Sequence, residues 1–317
     1  MTKFEEYKNA KGLSYSRLSK LSVHPRNLIA TEKEESSALS FGSLVDCLMF
    51  SADEFDEKFY QTVIKRPGGE MLKWLDAYLN YELPADYTLN DHDKIILKAR
   101  EVSGYNKSLL NATALRKFHE ECDAFLHEIA KAGDKIIITN DDFNRAINYQ
   151  SRLLNNEFTW PYFAPSGEFQ KEIYFELEGT KCKGLLDGVI FNNLARTIKP
   201  WDLKTSSEST LSFEREFIKW RYYLQAALYR AGLQTLYPDY KVLPFDFIVI
   251  NDWEEPFIWR VEDQLHSLSM MGGQLRNGHI IKGVYELIEE FKWHEQNDKY
   301  DYPVDFYSKG YKSISLL

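Results

Sequence analysis

Hydrophobic residues recur at helical spacing through much of the first half of the chain. Within residues 37–50, apolar side chains share one helix face, and Asp46 is the single acid among them. Three more segments of this kind predict helices: 71–80, 94–110 and 113–133. Asn140 can cap a further helix that runs to about Leu154. An early short helix should end before Pro25, because the residue preceding a proline avoids the α region.

The pattern becomes strand-like in the second half. Turn-forming residues at Gly179 and Asn192-Asn193 separate three runs that predict a meander: 168–179, 181–193 and 195–205. A long helix is then expected from about Phe213 to Leu236. Later segments predict two strands, a mostly helical stretch and an irregular tail, in the order 245–252, 255–263, 264–297 and 301–317.

This order of elements predicts an α/β fold with a mixed central sheet flanked by helices and a helical N-terminal portion. No linker rich in proline or serine interrupts the chain. We therefore expect one domain over residues 1–317, in which 1–160 is mostly helical and 161–317 carries the sheet and the C-terminal helices.

Composition narrows the functional classes. The net charge is -9, which argues against a protein that coats nucleic acid by general electrostatics, but an enzyme with acidic metal ligands remains open. The three cysteines, Cys47, Cys122 and Cys182, form no close pair, so free thiols are expected and a four-cysteine metal site is excluded. The polar N-terminus and the lack of a long apolar run predict a cytoplasmic protein with no membrane partner.

Two acids and a lysine on neighbouring predicted strands are the strongest candidate chemistry. Asp187 lies in GLLDGVIF, and Asp202 and Lys204 lie in IKPWDLKT, where they share a strand face. Such a group is unfavourable unless a divalent cation lies between the acids, and oxygen ligands suit Mg²⁺ or Mn²⁺. Glu172, on the preceding strand, is a third candidate carboxylate. Solvent-exposed hairpin residues are the alternative interpretation, most of all for Glu172.

The helix expected after the meander carries a second candidate group. Gln225 and Tyr229 are four residues apart and share a helix face, Arg221 lies one turn earlier, and Lys219 is close. Cations beside a glutamine and aromatic residues suit a helix that faces phosphates. Core packing of Gln225 and Tyr229 explains the same pattern, so both interpretations stay open.

These motifs resemble the PD-(D/E)xK nuclease superfamily. The resemblance rests on GLLD at 184–187, DLK at 202–204 and the Y-x-x-Q-x-x-x-Y pattern from Tyr222 to Tyr229. The N-terminal segments YSRLSKLSVHPRNL and SSALSFGSLVDCLMF are similar to the exodeoxyribonuclease VIII type of phage recombination systems. The likeness extends from about residue 13 to 250.

The resemblance implies a restriction-endonuclease-like fold, one or two Mg²⁺ or Mn²⁺ ions and specific roles for the candidate residues. The implied metal ligands are Asp46, Glu172, Asp187, Asp202 and Leu203. Asp187, Asp202, Lys204 and Gln225 would be catalytic, with Lys204 as the catalytic lysine. The implied DNA contacts are Lys219, Arg221, Gln225 and Tyr229. Asp46 occupies a position where this family more often has histidine.

The expected function is that of a Mg²⁺-dependent deoxyribonuclease that degrades DNA from duplex ends in phage-type recombination. The resemblance also implies a ring-shaped homo-oligomer, a single-strand annealing partner and the cytoplasm of a bacterium or phage-infected host. An endonuclease or flap nuclease, and an inactive DNA-binding protein on a nuclease fold, remain alternatives. The polarity of cleavage, the preference for DNA over RNA and the oligomeric state stay open.

Overall fold

The computed structural model describes residues 3–30, 37–82, 91–164 and 166–311. The chain divides into two compact units. Met1–Ser36 and Asn148–Leu317 form one, here called the sheet unit, and Ser37–Ile147 forms the other, the helical unit. The first 36 residues thus belong with the sheet, although the sequence grouped them with the helical part. The single domain expected from the sequence stays a prediction.

The helices and strands of the described residues alternate in the expected order. They are α1 (Lys3–Asn9), α2 (Tyr15–Val23), α3 (Ser37–Phe50), α4 (Phe55–Lys58), β1 (Phe59–Thr62), α5 (Gly69–Leu79), α6 (His92–Ser103), α7 (Asn111–Ala132), β2 (Ile136–Thr139), α8 (Asn140–Asn155), β3 (Gly167–Leu177), β4 (Thr180–Asn192), β5 (Thr197–Thr205), α9 (Phe213–Lys219), α10 (Tyr222–Leu236), β6 (Lys241–Val242), β7 (Phe245–Ile250), β8 (Phe257–Val261), α11 (Asp263–Met271), β9 (Gly273–Gln274), β10 (Ile280–Ile281), α12 (Val284–Asn297) and α13 (Val304–Lys309).

The helical unit packs its amphipathic helices around one apolar cluster. Trp74 of α5, Ile96 of α6 and Phe118 of α7 are fully buried there. The Trp74 indole N–H also donates a 2.8 Å hydrogen bond to the Ile96 carbonyl, which ties α5 to α6. The α6 helix ends at Ser103 rather than near 110, because Gly104 takes a left-handed conformation with φ 72°.

The sheet unit contains a six-stranded mixed sheet. Its main path runs β3-β4-β5-β7-β8, and β6 pairs with β5 beside β7. The β3, β4 and β5 strands are antiparallel neighbours, β5 and β7 are parallel, and β7 and β8 are antiparallel. The mixed sheet with flanking helices confirms the fold class predicted from the sequence.

Helix α10 covers one face of this sheet. Leu224, Leu228 and Leu233 of α10 are fully buried in the same cluster as Ile173 of β3 and Leu186 of β4. A helix so extensively buried presents apolar side chains on most of its circumference. The core thus holds α10 firmly against the strands that carry the candidate acids.

Three expectations about secondary structure are wrong in detail. The long helix predicted over 213–236 is two helices, because the chain breaks at Trp220 and Arg221 between α9 and α10. The tail expected to be irregular contains α13. The sequence also gave no strand at β1, which pairs in parallel with β2.

The cysteines and the hydrophobic helices agree with the sequence-based expectations. Cys47, Cys122 and Cys182 are free and buried, as predicted. Burial raises the pKa of the Cys122 thiol to about 12 and that of Cys182 to about 11. No helix among the described residues is both long and apolar enough to cross a lipid bilayer.

Candidate active site

The candidate acids lie where β4 and β5 part. The β4–β5 ladder ends at the pair Gly188–Trp201, so Asp187 and Asp202 are the next residues beyond the last paired positions. The Asp187 carboxylate replaces the missing backbone contact, because its Oδ2 accepts a 2.8 Å hydrogen bond from the Leu203 N–H. One carboxylate is thereby fixed against the strand that carries the other.

A break in the strand alternation aims Asp187 toward this point. Leu186 and Val189 both face the α10 core although residues three apart on a regular strand face opposite sides. The strand therefore turns over at Asp187 and Gly188. On β3, Gln170 lies between the residues paired with Leu186 and Gly188 and has a φ of 48°. The Gln170 amide approaches Asp187 Oδ1 at 3.4 Å.

The glycines of the GLLDG segment are required by close packing. A Cβ atom on Gly188 would lie 2.0 Å from the Trp201 indole, and one on Gly184 would lie 2.7 Å from the Tyr229 ring. Both distances are far below contact. Two aromatic rings therefore pack directly on the β4 backbone on either side of Asp187.

Asp202 is the most deeply buried acid of the site. The residue is 2 % exposed, and its Oδ2 forms an ion pair with the Lys204 ammonium. Its Oδ1 accepts a 2.6 Å hydrogen bond from the Gln225 side-chain amide of α10. Gln225 itself is 4 % exposed. The convergence of Asp187, Asp202 and Lys204 places the three motif residues in one small region of the sheet unit.

Burial and charge act in opposite directions on the two members of the ion pair. Burial raises the pKa of the Asp202 carboxyl, and Lys204 and Gln225 only partly offset this effect. Burial also disfavours the charged form of Lys204, but the nearby Asp202 and Asp187 carboxylates outweigh it and hold the lysine pKa well above its usual value. Lys204 is therefore an ammonium at neutral pH. It lies 4.7 Å from the centre of the Tyr222 ring.

The oxygen atoms of the site suit a hard divalent cation. Asp202 Oδ2 and Gln225 Oε1 are buried and lack a hydrogen-bond partner. Such atoms are unfavourable in a folded protein unless a cation or water satisfies them. Within the described ranges, no three His, Cys, Asp or Glu side chains are grouped closely enough to hold a metal ion. The residues present thus offer two carboxylates, and the backbone carbonyl of Leu203 together with water would complete the coordination.

Two predicted metal ligands lie outside this pair. Glu172 is on β3 opposite Leu185, and its Oε2 accepts a 2.8 Å hydrogen bond from the Tyr174 hydroxyl. Asp46 is half-buried on α3 of the helical unit. The roles of Asp46 and Glu172 as metal ligands stay predictions.

The predicted DNA contacts occupy different environments. Lys219 ends α9 and is exposed, whereas Tyr229 is 5 % exposed in the core. Arg221 does not lie one turn before Gln225 on the same helix, as expected, because it precedes α10 in a left-handed conformation. The roles of Lys219, Arg221, Gln225 and Tyr229 as DNA contacts stay predictions.

Sequence reasoning gave no role to Tyr15 or Gln170. The Tyr15 hydroxyl donates a 2.6 Å hydrogen bond to the Trp220 carbonyl at the break between α9 and α10. Its ring centre lies 6.4 Å from that of Tyr222, the neighbour of Lys204. The only sequence signal for Tyr15 is its place in the YSRL segment, which the family resemblance had already singled out.

Comparisons with known proteins agree with this geometry. A structure from Eubacterium rectale named "Putative exonuclease" is 15 % identical, covers 100 % of this chain and 95 % of its own, and has a TM-score of 0.52. This likeness concerns the fold. A second structure, SSO0001, is 14 % identical over 64 % of this chain and 82 % of that one, but its TM-score of 0.22 carries no argument. A search of the curated proteins finds no match.

The family comparison covers both the candidate acids and the helices that precede them. The sequence model described as "PDDEXK-like domain of unknown function (DUF3799)" matches residues 23–258. This range includes Asp187, Asp202 and Lys204, and it confirms the resemblance found in the motifs. The match supports a nuclease. The chain belongs to the PDDEXK-like family DUF3799, within the PD-(D/E)xK nuclease superfamily.

Proposed function

We propose that this protein is a metal-dependent deoxyribonuclease that hydrolyses phosphodiester bonds from duplex ends. The observation that carries the proposal is the convergence of Asp187, Asp202 and Lys204 where β4 and β5 part, with one buried oxygen of Asp202 lacking a hydrogen bond. Two carboxylates and an ammonium at one strand edge match the requirements of phosphodiester hydrolysis, in which negative charge increases at the phosphate.

The chain's own residues have separable roles in this reaction. A bound Mg²⁺ or Mn²⁺ would polarise the scissile phosphate and lower the pKa of a coordinated water. Asp187 and Asp202 would hold the cation, and the Leu203 N–H and the Gln225 amide keep their carboxylates in place. The Lys204 ammonium orients the attacking water and offsets the charge that develops on the phosphate.

DNA binding by this acidic protein must come from local contacts. The net charge of -9 makes long-range attraction to DNA weak. Lys219 and Arg221, at the end of α9 and the start of α10, supply cations near Tyr222 and the site. Because few phosphates are contacted, the affinity should fall less steeply with salt than for a basic DNA-coating protein.

Arg221→Ala tests this contribution to binding. We expect it to weaken binding of linear ends more than it slows the chemical step, because the guanidinium contacts phosphate rather than the reacting atoms. Single-turnover digestion at saturating enzyme, together with titrations at two salt concentrations, separates the two effects. Wild-type affinity and salt slope in the variant would remove this segment from the DNA interface.

A digestion panel with Mg²⁺ tests the proposed activity itself. Linear duplexes labelled at the 5′ or 3′ end, single strands and covalently closed circles serve as substrates. We expect shortening of linear duplexes from their ends and persistence of closed circles. Cleavage of the circles would assign an endonuclease, and no metal-dependent hydrolysis of any substrate would assign a binding protein on a nuclease fold. The recombination role, the annealing partner and the ring assembly are proposals that rest on the family resemblance.

A further inference from the structure

The break between α9 and α10 forms a defined turn rather than a flexible joint. The Trp220 N–H closes α9 with a 2.8 Å hydrogen bond to the Glu216 carbonyl. Arg221 then adopts φ 60° and ψ 35°, a left-handed conformation that residues other than glycine seldom take. No glycine or proline accounts for the turn. Backbone of this kind persists only where the surroundings impose it, and it is concentrated at functional sites.

Contacts from the active site hold this turn in place. The Tyr15 hydroxyl donates to the Trp220 carbonyl at 2.6 Å, and the Tyr15 ring packs on Tyr222. The Tyr222 ring in turn contacts the Lys204 ammonium, whose nitrogen lies 4.7 Å from the ring centre. The turn is therefore connected to the catalytic lysine through two aromatic side chains.

An exposed aromatic ring lies between two cations in this turn. Trp220 is 49 % exposed, and the Lys219 ammonium lies 4.7 Å from its ring centre. Arg221 follows directly, and its guanidinium also donates to the Lys219 carbonyl at 3.1 Å. Core packing does not require a tryptophan with half of its surface in solvent. Aromatic rings flanked by cations are the means by which proteins stack on unpaired bases and contact the adjoining phosphates.

We propose that the turn Lys219–Arg221 binds an unpaired strand end of DNA beside the active site, with Trp220 stacked on one base. Lys219 and Arg221 contact the phosphates on either side of that base. The inference rests on the proposed nuclease function and specifies its substrate: a DNA end with at least one unpaired nucleotide rather than a fully paired blunt end.

Binding titrations with abasic substitutions test the stacking contact. The full chain is titrated in Ca²⁺ against a fluorescent duplex that carries a short single-stranded overhang, and intact substrate is verified afterwards. The same duplex is then made with one abasic site at each overhang position in turn. In the wild type, one position should weaken binding about 5- to 150-fold, the range that stacking of a single base represents.

Variants assign that effect to Trp220. We expect Trp220→Ala to lose the same factor on the intact overhang and to become insensitive to the abasic site, whereas Trp220→Phe should retain the sensitivity. Trp253→Ala is the matched control, because Trp253 is 63 % exposed elsewhere in the sheet unit and should behave as wild type. Equal abasic effects in the wild type and Trp220→Ala would overturn the proposal, as would tighter binding of an RNA overhang of the same sequence.

The outcome separates this inference from the proposed function. Metal-dependent hydrolysis of linear DNA with no position-specific abasic effect would remove the stacking role and leave the nuclease intact. A Trp220-dependent abasic effect in a chain that hydrolyses no DNA would leave the binding site and remove the enzyme. Thermal unfolding of each variant shows whether a loss of affinity reflects a loss of fold.

Discussion

The side-chain amide of Gln225 donates a 2.6 Å hydrogen bond to Oδ1 of Asp202. Gln225 lies on α10, which packs across the sheet, and Asp202 lies on β5. The bond therefore couples the position of a buried carboxylate to the packing of the longest helix on the sheet. Its geometry leaves Asp202 Oδ2 for the Lys204 ammonium and for a cation.

Gln225→Ala should reduce hydrolysis of linear duplex DNA by about 10- to 150-fold, the equivalent of one hydrogen bond to a charged group. The physical reason is that Asp202 loses the donor that fixes its orientation. Turnover measured over a range of Mg²⁺ concentrations should also show a higher metal requirement. Gln234→Ala on the same helix is the control, because its amide bonds only the Tyr240 carbonyl region. Equal losses in both variants would contradict a specific role for Gln225.

Gly188→Ala should destabilise the sheet unit by about 1–3 kcal/mol or more, because the new methyl group would overlap the Trp201 indole. Urea unfolding of the purified variant measures this change. Gly167→Ala provides the comparison, since its added Cβ would meet neighbours at an ordinary 3.4 Å. Similar unfolding midpoints for both variants would show that Trp201 moves aside without penalty.

Asp246→Ala should destabilise the protein by about 3–5 kcal/mol, because it leaves a nearly buried lysine without its partner. Asp246 is fully buried and lies 2.5 Å from the Lys199 ammonium and 2.9 Å from Arg260 Nε. Chemical denaturation measures the free energy of unfolding.

The exposed pair of Arg230 and Asp263 is the control for that measurement. The Asp263 side chain is 75 % exposed, so Asp263→Ala should change the free energy of unfolding by less than about 1 kcal/mol. A loss from Asp246→Ala no larger than that from Asp263→Ala would mean that the buried charges around Asp246 rearrange freely.

The helical unit should lose stability in acid as Glu128 takes up a proton. Hydrogen bonds from Lys131, Thr62 and Tyr60 lower the pKa of this carboxyl to about 2, whereas its unfolded value is about 4.3. The stabilisation is therefore present above pH 4.3 and is lost as the pH falls toward 2. The difference in unfolding free energy between the wild type and Glu128→Gln should shrink between pH 5 and pH 3. A pH-independent difference would show that the carboxylate charge does not contribute.

The sequence predicted the elements that local pattern determines. Alternating strands and turn residues located β3, β4 and β5, and the motif spacing brought Asp187, Asp202 and Lys204 together correctly. An acid in an apolar run was a weaker guide than it appeared. Asp246 lies in the equally apolar strand β7, yet it is neutralised by Lys199 and Arg260 and belongs to no candidate site.

The break at Trp220 and Arg221 could not be read from local sequence. Neither residue is a turn former, and the surrounding segment has continuous helical character. The contact that holds the turn comes from Tyr15, 205 residues away in the chain. The φ of 48° at Gln170 is similar, since it depends on β4 turning over beside it. Tertiary contacts set both features, and pattern analysis does not detect such contacts.

The rate at which Asp202→Asn hydrolyses end-labelled linear duplex in Mg²⁺ tests the central claim most directly. The substitution keeps the size of the side chain but removes the charge that would hold the cation and that pairs with Lys204. Circular dichroism and thermal unfolding establish that the variant is folded. We expect no detectable hydrolysis by the folded variant under conditions in which the wild type degrades the duplex. Turnover near that of the wild type would contradict the assignment of the active site to Asp187, Asp202 and Lys204.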